Sequence, residues 1–483
     1  MTAKLRFAPS PTGNLHIGSV RTAIFNWVWA KALNAQLVLR IEDTDQLRSK
    51  PEFEANILEG LEWMGLDYHE GPHAPKDGML YRQSERMAAN VYQPYIQQLL
   101  DSGHAYPCFE TDTELDAERA AAEAKGEAYM YSRKSLQYSK EEVAEKLASG
   151  VAYTIRLKVP DNQTIVVKDA IRGDIPFESG LLSDFIIVKS DGAPTYNVAV
   201  VIDDHDMGIT HVVRGEDHIS NTPKQMLIFN ALGLPVPVFA HLPIILGQDR
   251  SKLSKRHGAK SVSEYKDDGF LPHAVMNYLS LLGWSPPEGR ELLSREELIE
   301  LFNIERINKA GAVFDTVKLT WMNKQYLGQL SDDQFLSTVQ PFLKQQVSNE
   351  TDLNQKIISV RDNIDILSEI DTYLEVYRLD MAGYQSTVDD LEFNDHDCKV
   401  LAEIGPRFCA LTDWTEATIT GAMEATAEAL GVSKGKTMKP IRKGVTGAAS
   451  GPNLVACLAL LGHSTIQERC QYIVEYVKTA TSS

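Results

Sequence analysis

The sequence predicts a protein of several domains, with alternating strands and helices in its N-terminal half and only helices in its C-terminal half. Its 483 residues are too many for one hydrophobic core, and roughly three to four domains are expected. A strand, a helix and a second strand are indicated within the first 41 residues, which is the size of a parallel βαβ unit. After about residue 261 the strand patterns stop and apolar residues recur at helical spacing.

The turn inside the first unit is the first candidate binding site. The apolar run Leu5–Ala8 leads into a turn rich in proline and glycine, and Gln36–Ile41 reads as the second strand. Between them, His16 and Gly18 stand where a helical pattern begins. A helix N-terminus presents unpaired N–H groups and a partial positive charge, so it suits a phosphate. Taken alone, this stretch is equally well an ordinary turn with a surface histidine.

A basic loop far along the chain is the second candidate. Ser251–Gly258 reads S-K-L-S-K-R-H-G, and five Lys or Arg residues fall between Arg250 and Lys260. A polyphosphate held by backbone amides still needs cationic side chains as charge builds on its oxygens. The alternative is a solvated basic loop.

Further segments extend the predicted α/β region. A helix is predicted over Ser84–Gly103, and another begins at Thr222 and ends before Gly233. This order predicts that His16 and Lys255 face each other across one crevice. The segments expected in the main sheet are Asp184–Lys189, Thr195–Asp203, Thr210–Val213 and Phe239–Leu246.

Two regions differ from this pattern. Residues 86–183 contain the polar segment Asp112–Ala128 and then strand patterns at Tyr153–Val159 and Ile165–Asp169, which predicts a domain inserted into the sheet. The C-terminal half reads as all-α. Its helical patterns include Leu271–Leu282, Ser294–Leu301 and Asp315–Asn323.

Charge and composition limit the kinds of partner and the compartment that this chain can have. A net charge of −18 argues against a uniform nucleic-acid coat, but RNA binding needs only a local basic surface. The segment Ala429–Gln467 has no Asp or Glu. Five scattered cysteines indicate a reducing compartment, either the cytosol or the interior of an organelle, and the cytoplasm is the location expected. No apolar run approaches the roughly 18 residues that span a bilayer. The basic residues of the acid-free segment are Lys434, Lys436, Lys439, Arg442 and Lys443.

The two candidate stretches together resemble the HIGH and KMSKS signatures of class I aminoacyl-tRNA synthetases. They stand here as H-I-G-S from His16 and K-L-S-K-R from Lys252. Longer motifs are similar to those of bacterial-type glutamyl-tRNA synthetases. They are F-A-P-S-P-T-G-N-L-H-I-G (Phe7–Gly18), R-I-E-D-T-D (Arg40–Asp45), P-T-Y-N (Pro194–Asn197), V-V-R-G-E-D-H (Val212–His218) and a glycine-rich pattern over Gly447–Gly462.

The resemblance implies a Rossmann-like catalytic domain with an inserted domain that holds the tRNA acceptor end, followed by helical anticodon-binding domains. The boundaries expected are 1–85 with 184–250 for the catalytic domain, 86–183 for the insertion, 251–328 for the basic loop and a stem-contact fold, and 329–483 for the anticodon-binding region. Many relatives carry a zinc site in the insertion that begins C-x-C. This chain has Cys108 followed by Glu110, so no structural zinc is expected.

The resemblance also implies a reaction. Glutamate's α-carboxylate attacks the α-phosphorus of ATP, bound with Mg²⁺, and the tRNA's terminal ribose hydroxyl then attacks the glutamyl-adenylate. A carboxylate is already nucleophilic at pH 7, so the first step needs positioning and charge stabilisation and no general base. The partners implied are ATP, L-glutamate and tRNA(Glu), with tRNA(Gln) left open, and the chain is expected to be a monomer.

Site residues follow from the matched motifs. The catalytic residues implied are His16, Gly18, Lys252 and Lys255. The nucleotide site adds Pro11, Thr12, Gly13, Ser19, Asp217, His218, Ser254 and Arg256. Arg6 and Arg214 are expected to hold carboxylates and Glu42 the ammonium group, with Ser10, Tyr196 and Asn197 completing the pocket. The five basic residues of the acid-free segment are expected to bind tRNA. Read without the resemblance, Arg6 is a surface arginine, and Arg214 pairs with Glu216 or Asp217.

Four other activities compete with this interpretation. A small-molecule nucleotidyltransferase uses a similar loop but is usually one domain. A truncated relative that glutamylates a base in tRNA would lack the C-terminal half. A catalytically dead RNA-binding scaffold would not need the motif residues. Glutaminyl-tRNA synthetases usually end in β-barrels, and this C-terminus reads as helical.

Overall fold

The computed structural model describes residues 2–45, 47–258, 260–343 and 352–480. The chain divides into two compact units. Unit 1 consists of Met1–Glu264 and Val275–Thr316, and unit 2 consists of Tyr265–Ala274 and Val317–Ser483.

The strands lie in unit 1. They are β1 (Lys4–Phe7), β2 (Gln36–Leu39), β3 (Ala105–Cys108), β4 (Thr154–Leu157), β5 (Thr164–Asp169), β6 (Gly173–Glu178), β7 (Ile186–Val188), β8 (His211–Gly215), β9 (Val238–Leu242), β10 (Ile245–Leu246) and β11 (Ala312–Val313).

The helices follow in chain order. They are α1 (Ile17–Ala32), α2 (Pro51–Trp63), α3 (Gln83–Ala88), α4 (Gln93–Asp101), α5 (Asp112–Ala124), α6 (Lys140–Ala148), α7 (Tyr196–Asp206), α8 (Thr222–Leu232), α9 (Val262–Asp267), α10 (Pro272–Leu281), α11 (Arg295–Leu301), α12 (Thr316–Gln329), α13 (Asp332–Val339), α14 (Leu353–Val360), α15 (Ile370–Arg378), α16 (Met381–Asp389), α17 (Asp395–Ala410), α18 (Glu416–Ala429), α19 (Lys434–Thr446), α20 (Leu454–Leu461) and α21 (His463–Ala480).

The main sheet organises unit 1. Among the described residues, six strands lie in the order β2-β1-β8-β9-β5-β6. All neighbours are parallel except β5 and β6, which form an antiparallel pair. Most residues of β1, β2, β8 and β9 are buried, as expected of parallel strands with helices on both faces, whereas β5 alternates buried and exposed residues and β6 has no buried residue. The carboxyl ends of β1, β8 and β9 therefore share one edge, where ligands bind in such sheets.

The first βαβ unit forms as the sequence predicts. α1 begins at Ile17, directly after His16, and β2 pairs in parallel with β1. α8 begins at Thr222 and ends at Gly233, which takes the left-handed conformation (φ 69°) that glycine adopts without strain.

One predicted strand is wrong. Thr195–Asp203 was expected in the sheet, but residues 196–206 form α7. Its residues Val198–Asp204 are all buried, so the apolar run V-A-V-V-I has no polar face to reveal a helical period. Length and the preceding Thr195 N-cap position favour the helix.

The sheet membership of two segments also differs from expectation. Ile186–Val188 was expected in the main sheet, but β7 belongs to a three-stranded antiparallel sheet with β3 and β4. The pair β5–β6, read as part of the inserted domain, joins the main sheet through Asp169 and Phe239. Period-2 patterning shows that a segment is a strand but not which strand it pairs with.

Two smaller corrections concern helix and strand boundaries. The single helix expected over Ser84–Gly103 is two helices, α3 and α4, because the intervening Asn90 adopts a left-handed conformation (φ 56°). Strands were expected to stop at about residue 261, but β11 pairs with β10 in a short parallel ladder.

Unit 2 is helical throughout its described residues, as predicted. Its largest apolar core joins α16 to α21 around fully buried side chains such as Leu401, Phe408 and Ile441. The Tyr384 hydroxyl donates to the Gly444 carbonyl within this core. No helix in the described part of the chain is long and apolar enough to cross a membrane.

Candidate active site

The N-terminus of α1 is held by the His16 side chain. His16 takes an extended conformation (φ −97°, ψ 162°) before the helix, and its Nδ1 accepts a hydrogen bond from the Ser19 amide at 3.4 Å. A Cβ built on Gly18 would lie only 3.2 Å from the imidazole. Glycine therefore lets the histidine ring fold over the first turn, where N–H groups and the helix dipole suit an anion.

We expect Gly18→Ala to lower the rate of amino-acid activation about tenfold or more, because the methyl group displaces the His16 ring and small misplacements of catalytic groups are costly. Helix stability should not fall, since alanine favours helices more than glycine. Pyrophosphate exchange and thermal unfolding measure the two effects. Gly421→Ala, in helix α18, is the control, since a Cβ on Gly421 meets no atom within 4 Å. Equal rates for the two variants would contradict the role of Gly18.

The basic loop lies next to this turn. Lys252 is 67% exposed, and its Nζ lies 3.6 Å from Asp217, which follows β8. Desolvation of the imidazole and the charge of Lys252 lower the pKa of His16 below 6.5, so the ring is neutral at pH 7. The structure thus brings His16 and Lys252 together. The side chain of Lys255 lies outside the described residues, so its predicted position opposite His16 stays a prediction.

His257 organises the basic loop and was not predicted as a functional residue. Its Nδ1 accepts from the Ser254 amide at 3.1 Å, and its Nε2 lies 3.1 Å from Asp249. A Cβ on Gly247 would lie 2.6 Å from the same ring, so the loop closes around the imidazole. The only sequence signal for this role of His257 was a histidine directly after the basic residues of S-K-R-H-G.

Arg214 lies near the carboxyl end of β8 in a buried polar cluster. It is 5% exposed, its Nε donates to His241 Nε2 at 3.1 Å, and its Nη2 donates to Thr222 Oγ1 at 2.8 Å. Its Nη1 is buried and has no hydrogen-bond partner among the residues that the structure describes. Burial lowers the pKa of Arg214, but a guanidinium stays charged at pH 7.

The expected ion pair of Arg214 with Glu216 or Asp217 is not formed within the described residues. Glu216 instead pairs with Arg172 and accepts the Ile244 amide, while Asp217 faces Lys252. A buried cation whose bonded partners are neutral, and whose Nη1 has both N–H donors unpartnered among the described residues, is suited to a carboxylate ligand.

A second buried charge group lies beside Arg214. Asp204, on the last turns of α7, accepts from Arg40 at 2.6 Å and from Arg6 at 3.3 Å. Arg40 also donates to Glu42 at 2.9 Å. Arg6 is therefore buried and ion-paired, and the reading of Arg6 as a surface arginine is wrong. The Asp204 carboxylate positions both Arg6 and Arg40, and Arg40 in turn holds Glu42.

Tyr196 and Asn197 open α7, at the opposite end from Asp204. The charges of Glu42, Arg214 and Arg6 all act on the Tyr196 hydroxyl, so these charged groups lie near it. The Tyr196 hydroxyl lies 3.3 Å from His218 Nδ1. Burial and then the charge of Glu42 raise the pKa of Tyr196, so its hydroxyl stays protonated.

The remaining predicted residues are placed as follows. Asn197 accepts from the Gln225 amide at 3.2 Å, so part of its side chain is already bonded. Asp43 accepts from the Ser84 amide at 2.8 Å and thus caps α3. The other predicted residues lie in loops, except Ser19 in the first turn of α1. Pro11 is buried, Thr12, Gly13 and Ser19 are partly exposed, and Ser10 and Arg256 are exposed.

The Cys108 cluster occupies the position where a zinc site was considered. Cys108 donates to Glu110 at 3.0 Å, and Tyr131 and Ser135 donate to the same carboxylate at 2.8 Å each. Arg156 Nε lies 3.2 Å from Cys108 Sγ. In the described residues these groups hydrogen-bond one another. The prediction of no bound zinc stays open to metal analysis.

The basic residues of the acid-free segment lie on and near α19 in unit 2. Lys443 pairs with Asp397 at 2.7 Å, Lys434 pairs with Glu424 at 2.8 Å, and Arg442 donates to the Pro452 carbonyl. Lys436 and Lys439 are exposed, so they are the stronger candidates for an RNA surface.

Comparisons with known proteins agree with both units. The family described as "tRNA synthetases class I (E and Q), catalytic domain" matches residues 2–321, and the family described as "Anticodon binding domain" matches residues 334–474. The chain is 44% identical over 477 residues to a glutamate–tRNA ligase of Aquifex aeolicus, covering 98% of each chain. It is 41% identical over 488 residues to one of Natranaerobius thermophilus, covering 99% of each.

Solved structures show the same similarity. A glutamate–tRNA ligase from Elizabethkingia meningosepticum, in complex with its amino acid, aligns with a TM-score of 0.87 and 32% identity over 99% of this chain and 100% of that one. The glutamate–tRNA synthetase of Elizabethkingia anophelis aligns with a TM-score of 0.87 and 33% identity over 98% and 100%.

Proposed function

This chain belongs to the class I tRNA synthetases of the E and Q family, and we propose that its pocket at the carboxyl edge of the main sheet binds glutamate and ATP for transfer of glutamate to tRNA(Glu). The activity is ATP-dependent attachment of glutamate to tRNA, through a glutamyl-adenylate. The observation that carries the choice of amino acid is the buried Arg214 guanidinium, whose Nη1 has no partner in the described part of the chain.

The pocket matches the charges of glutamate. Arg214 binds the side-chain carboxylate of glutamate, and Glu42 attracts its α-ammonium group. Arg6 neutralises negative charge on the substrate between these two contacts. Tyr196, whose hydroxyl lies 3.3 Å from His218 Nδ1, completes the proposed pocket and packs against the substrate's methylene groups in this proposal. The amide of glutamine would present an NH₂ donor or a neutral oxygen to Arg214, which is a weaker partner than a carboxylate.

ATP binds at the N-terminus of α1. Its phosphates face the first-turn N–H groups, His16 and the basic loop, while the backbone at Gly13 and Gly18 permits close approach. Attack by the α-carboxylate of glutamate on the α-phosphorus forms a P–O bond and releases pyrophosphate. His16, Lys252 and Lys255 stabilise the developing charge, with Ser254 and Arg256 in the same loop.

Mg²⁺ enters with the nucleotide in this proposal. The described residues hold no cluster of three or more His, Cys, Asp or Glu side chains that could bind a metal ion by themselves. This fits Mg²⁺, which usually keeps several waters and binds through substrate phosphates with one or two carboxylates. Asp217, whose carboxylate lies 3.6 Å from Lys252 Nζ, is a candidate for this contact.

Lys255→Ala should lower the rate of activation by about 10²-fold or more, because its charge matters most as pyrophosphate forms. The affinity for glutamate should change little. Pyrophosphate exchange gives the rate, and Lys266→Ala, an exposed lysine on α9, serves as the control. Near-normal turnover in Lys255→Ala would remove the basic loop from the mechanism.

The tRNA is proposed to contact α19. Replacing both Lys436 and Lys439 by Glu should weaken tRNA(Glu) binding and flatten the dependence of log affinity on log salt by about one to two units, since each phosphate contact releases counterions. Lys399→Glu, an exposed charge reversal on α17, is the matched control. An unchanged salt slope in the double variant would contradict an RNA surface on α19.

One experiment tests the function as a whole. Aminoacylation with purified tRNA(Glu) and tRNA(Gln), each offered glutamate and glutamine, separates glutamate transfer from glutamine transfer and reveals whether tRNA(Gln) is also charged. We propose that the enzyme acts as a cytoplasmic monomer, which sedimentation and cell fractionation test. Transfer of glutamine in preference to glutamate would overturn the proposal.

A further inference from the structure

Three neighbouring strands of the main sheet contribute a buried chain of polar side chains. Asp169 ends β5, His241 lies on β9, and Arg214 lies on β8, where it is the direct partner of His241. All three side chains are at most 6% exposed. None of the motifs recognised in the sequence contains Asp169 or His241.

The hydrogen bonds in this chain assign a single tautomer to His241. Its Nδ1 lies 2.6 Å from Asp169 Oδ2, and its Nε2 lies 3.1 Å from Arg214 Nε. A guanidinium can only donate, so Nε2 must be the acceptor and Nδ1 must carry the proton that is donated to Asp169. Burial, together with the charge of Arg214, lowers the pKa of His241 despite the attraction of Asp169, in agreement with a neutral ring.

Asp169 is itself fixed in one orientation. Its Oδ1 accepts the amides of Ile171 and Arg172 at 2.9 and 2.8 Å, and its Oδ2 accepts the His241 amide at 3.1 Å as well as the ring proton. All the partners of Asp169 are therefore donors, which only an ionised carboxylate accepts fully. The ring of Phe239 stacks on His241 at 6.1 Å with an interplanar angle of 13°.

We propose that Asp169 and His241 are positioning residues for Arg214, and that they set the selectivity for a carboxylate over an amide by holding the guanidinium with neutral acceptors. Had an acid taken the place of His241, its charge would neutralise the guanidinium and compete with the substrate. A neutral imidazole fixes the orientation of the Arg214 guanidinium and does not neutralise it, so its positive charge remains to attract the ligand's carboxylate. This inference rests on the proposed contact between Arg214 and the glutamate side chain.

A pair of histidine variants tests the contact. Gln places its terminal amide near the Nε2 position, so His241→Gln keeps an acceptor for Arg214. Asn reaches only the Nδ1 position, so His241→Asn keeps the bond to Asp169 and loses the one to Arg214. We expect His241→Asn to raise the KM for glutamate about tenfold or more with little change in kcat, and to narrow the glutamate-to-glutamine ratio. His241→Gln should stay within about threefold of the wild type.

Asp169→Asn tests the tautomer. The two amides at Oδ1 require the oxygen of the new side chain, which turns its NH₂ group towards His241 Nδ1. The histidine must then accept there and carry its proton on Nε2, facing the Arg214 donor. We expect the KM for glutamate to rise tenfold or more in Asp169→Asn. In the His241→Gln background the same substitution should raise the KM less than about twofold, because a glutamine side chain has no alternative tautomer.

Pyrophosphate exchange with both amino acids, in the presence of tRNA, measures all variants of the full chain, and thermal unfolding reports their folding. His211→Gln, on the same strand β8 but packed on Trp29, is the control and should leave the KM unchanged. Equal effects of His241→Asn and His241→Gln, or equal effects of Asp169→Asn in both backgrounds, would overturn the inference. If Arg214→Gln itself leaves the KM for glutamate unchanged, the proposed contact fails instead.

Discussion

Arg214→Gln should lose most of its activity with glutamate while its activity with glutamine falls much less. Removing one partner of a buried, charge-assisted pair costs about 2–5 kcal/mol. At about 1.4 kcal/mol per factor of ten, kcat/KM for glutamate falls by roughly 30- to several-thousand-fold. Glutamate and glutamine have nearly the same size, so a site that selects by size alone could not distinguish them once the charge of Arg214 is removed.

The measurement is pyrophosphate exchange with both amino acids in the presence of tRNA. Arg172→Gln is the matched control, because Arg172 has its own carboxylate partner in Glu216 and should not affect the ratio. If Arg214→Gln keeps the wild-type ratio, Arg214 is a structural residue. Arg6 then becomes the leading candidate for binding the side-chain carboxylate.

Asp204→Asn should lower both the stability of the chain and its affinity for glutamate. The substitution leaves Arg6 and Arg40 buried without the carboxylate that they share, and breaking a buried ion pair costs about 3–5 kcal/mol. Arg40 then keeps Asp203 and Glu42 but loses Asp204, its partner at 2.6 Å, so we expect the Arg40–Glu42 pair to shift as well. Urea unfolding gives the free energy, and the KM for glutamate gives the effect on the site.

The stability difference between wild type and Asp204→Asn should depend on pH. Burial disfavours the charge of Asp204, but the nearby Arg40 and Arg6 outweigh it and lower its pKa below 3.8. A lowered folded-state pKa stabilises the protein above the unfolded-state value, and this contribution is lost as pH falls through the folded-state value. The difference should therefore be constant from pH 7 to about pH 5 and shrink only below pH 3.8.

Asp116→Asn supplies the control for Asp204→Asn. Asp116 forms an exposed pair with Arg119 three residues away, and such pairs contribute about 0–1 kcal/mol. A loss of stability in Asp204→Asn no larger than that of Asp116→Asn would contradict a structural role for the buried network.

Local patterns were sufficient for the parts of the site that lie close together in sequence. The turn with His16 and Gly18 and the start of α8 at Thr222 depend on residues within one or two helical turns, so spacing reveals them. The role of Arg214 came from the resemblance of V-V-R-G-E-D-H to a family motif, because local patterns alone favoured an ion pair with Glu216 or Asp217.

Parts of the site that depend on strand order could not be predicted in this way. Asp169 and His241 are 72 residues apart and meet only because β5 and β9 are neighbours. Nothing in the period of either strand specifies that pairing. The buried helix α7 was predicted as a strand, because an apolar run that is buried on all sides lacks the polar face that distinguishes a helix from a strand. The position of Asp204, which lies on this helix, was therefore not predicted either.

Helix α7 has a consequence for inhibitor resistance. Its first turn carries Tyr196, which faces the proposed substrate, and its last turns carry Asp203 and Asp204, which hold Arg86, Arg6 and Arg40. A compound that imitates glutamyl-adenylate would bind residues anchored in this network. We expect few viable escape mutations at these positions, because a change that weakens such a compound also removes a partner from a buried charge. Resistant lineages selected in culture should therefore carry compensating second substitutions or increased expression.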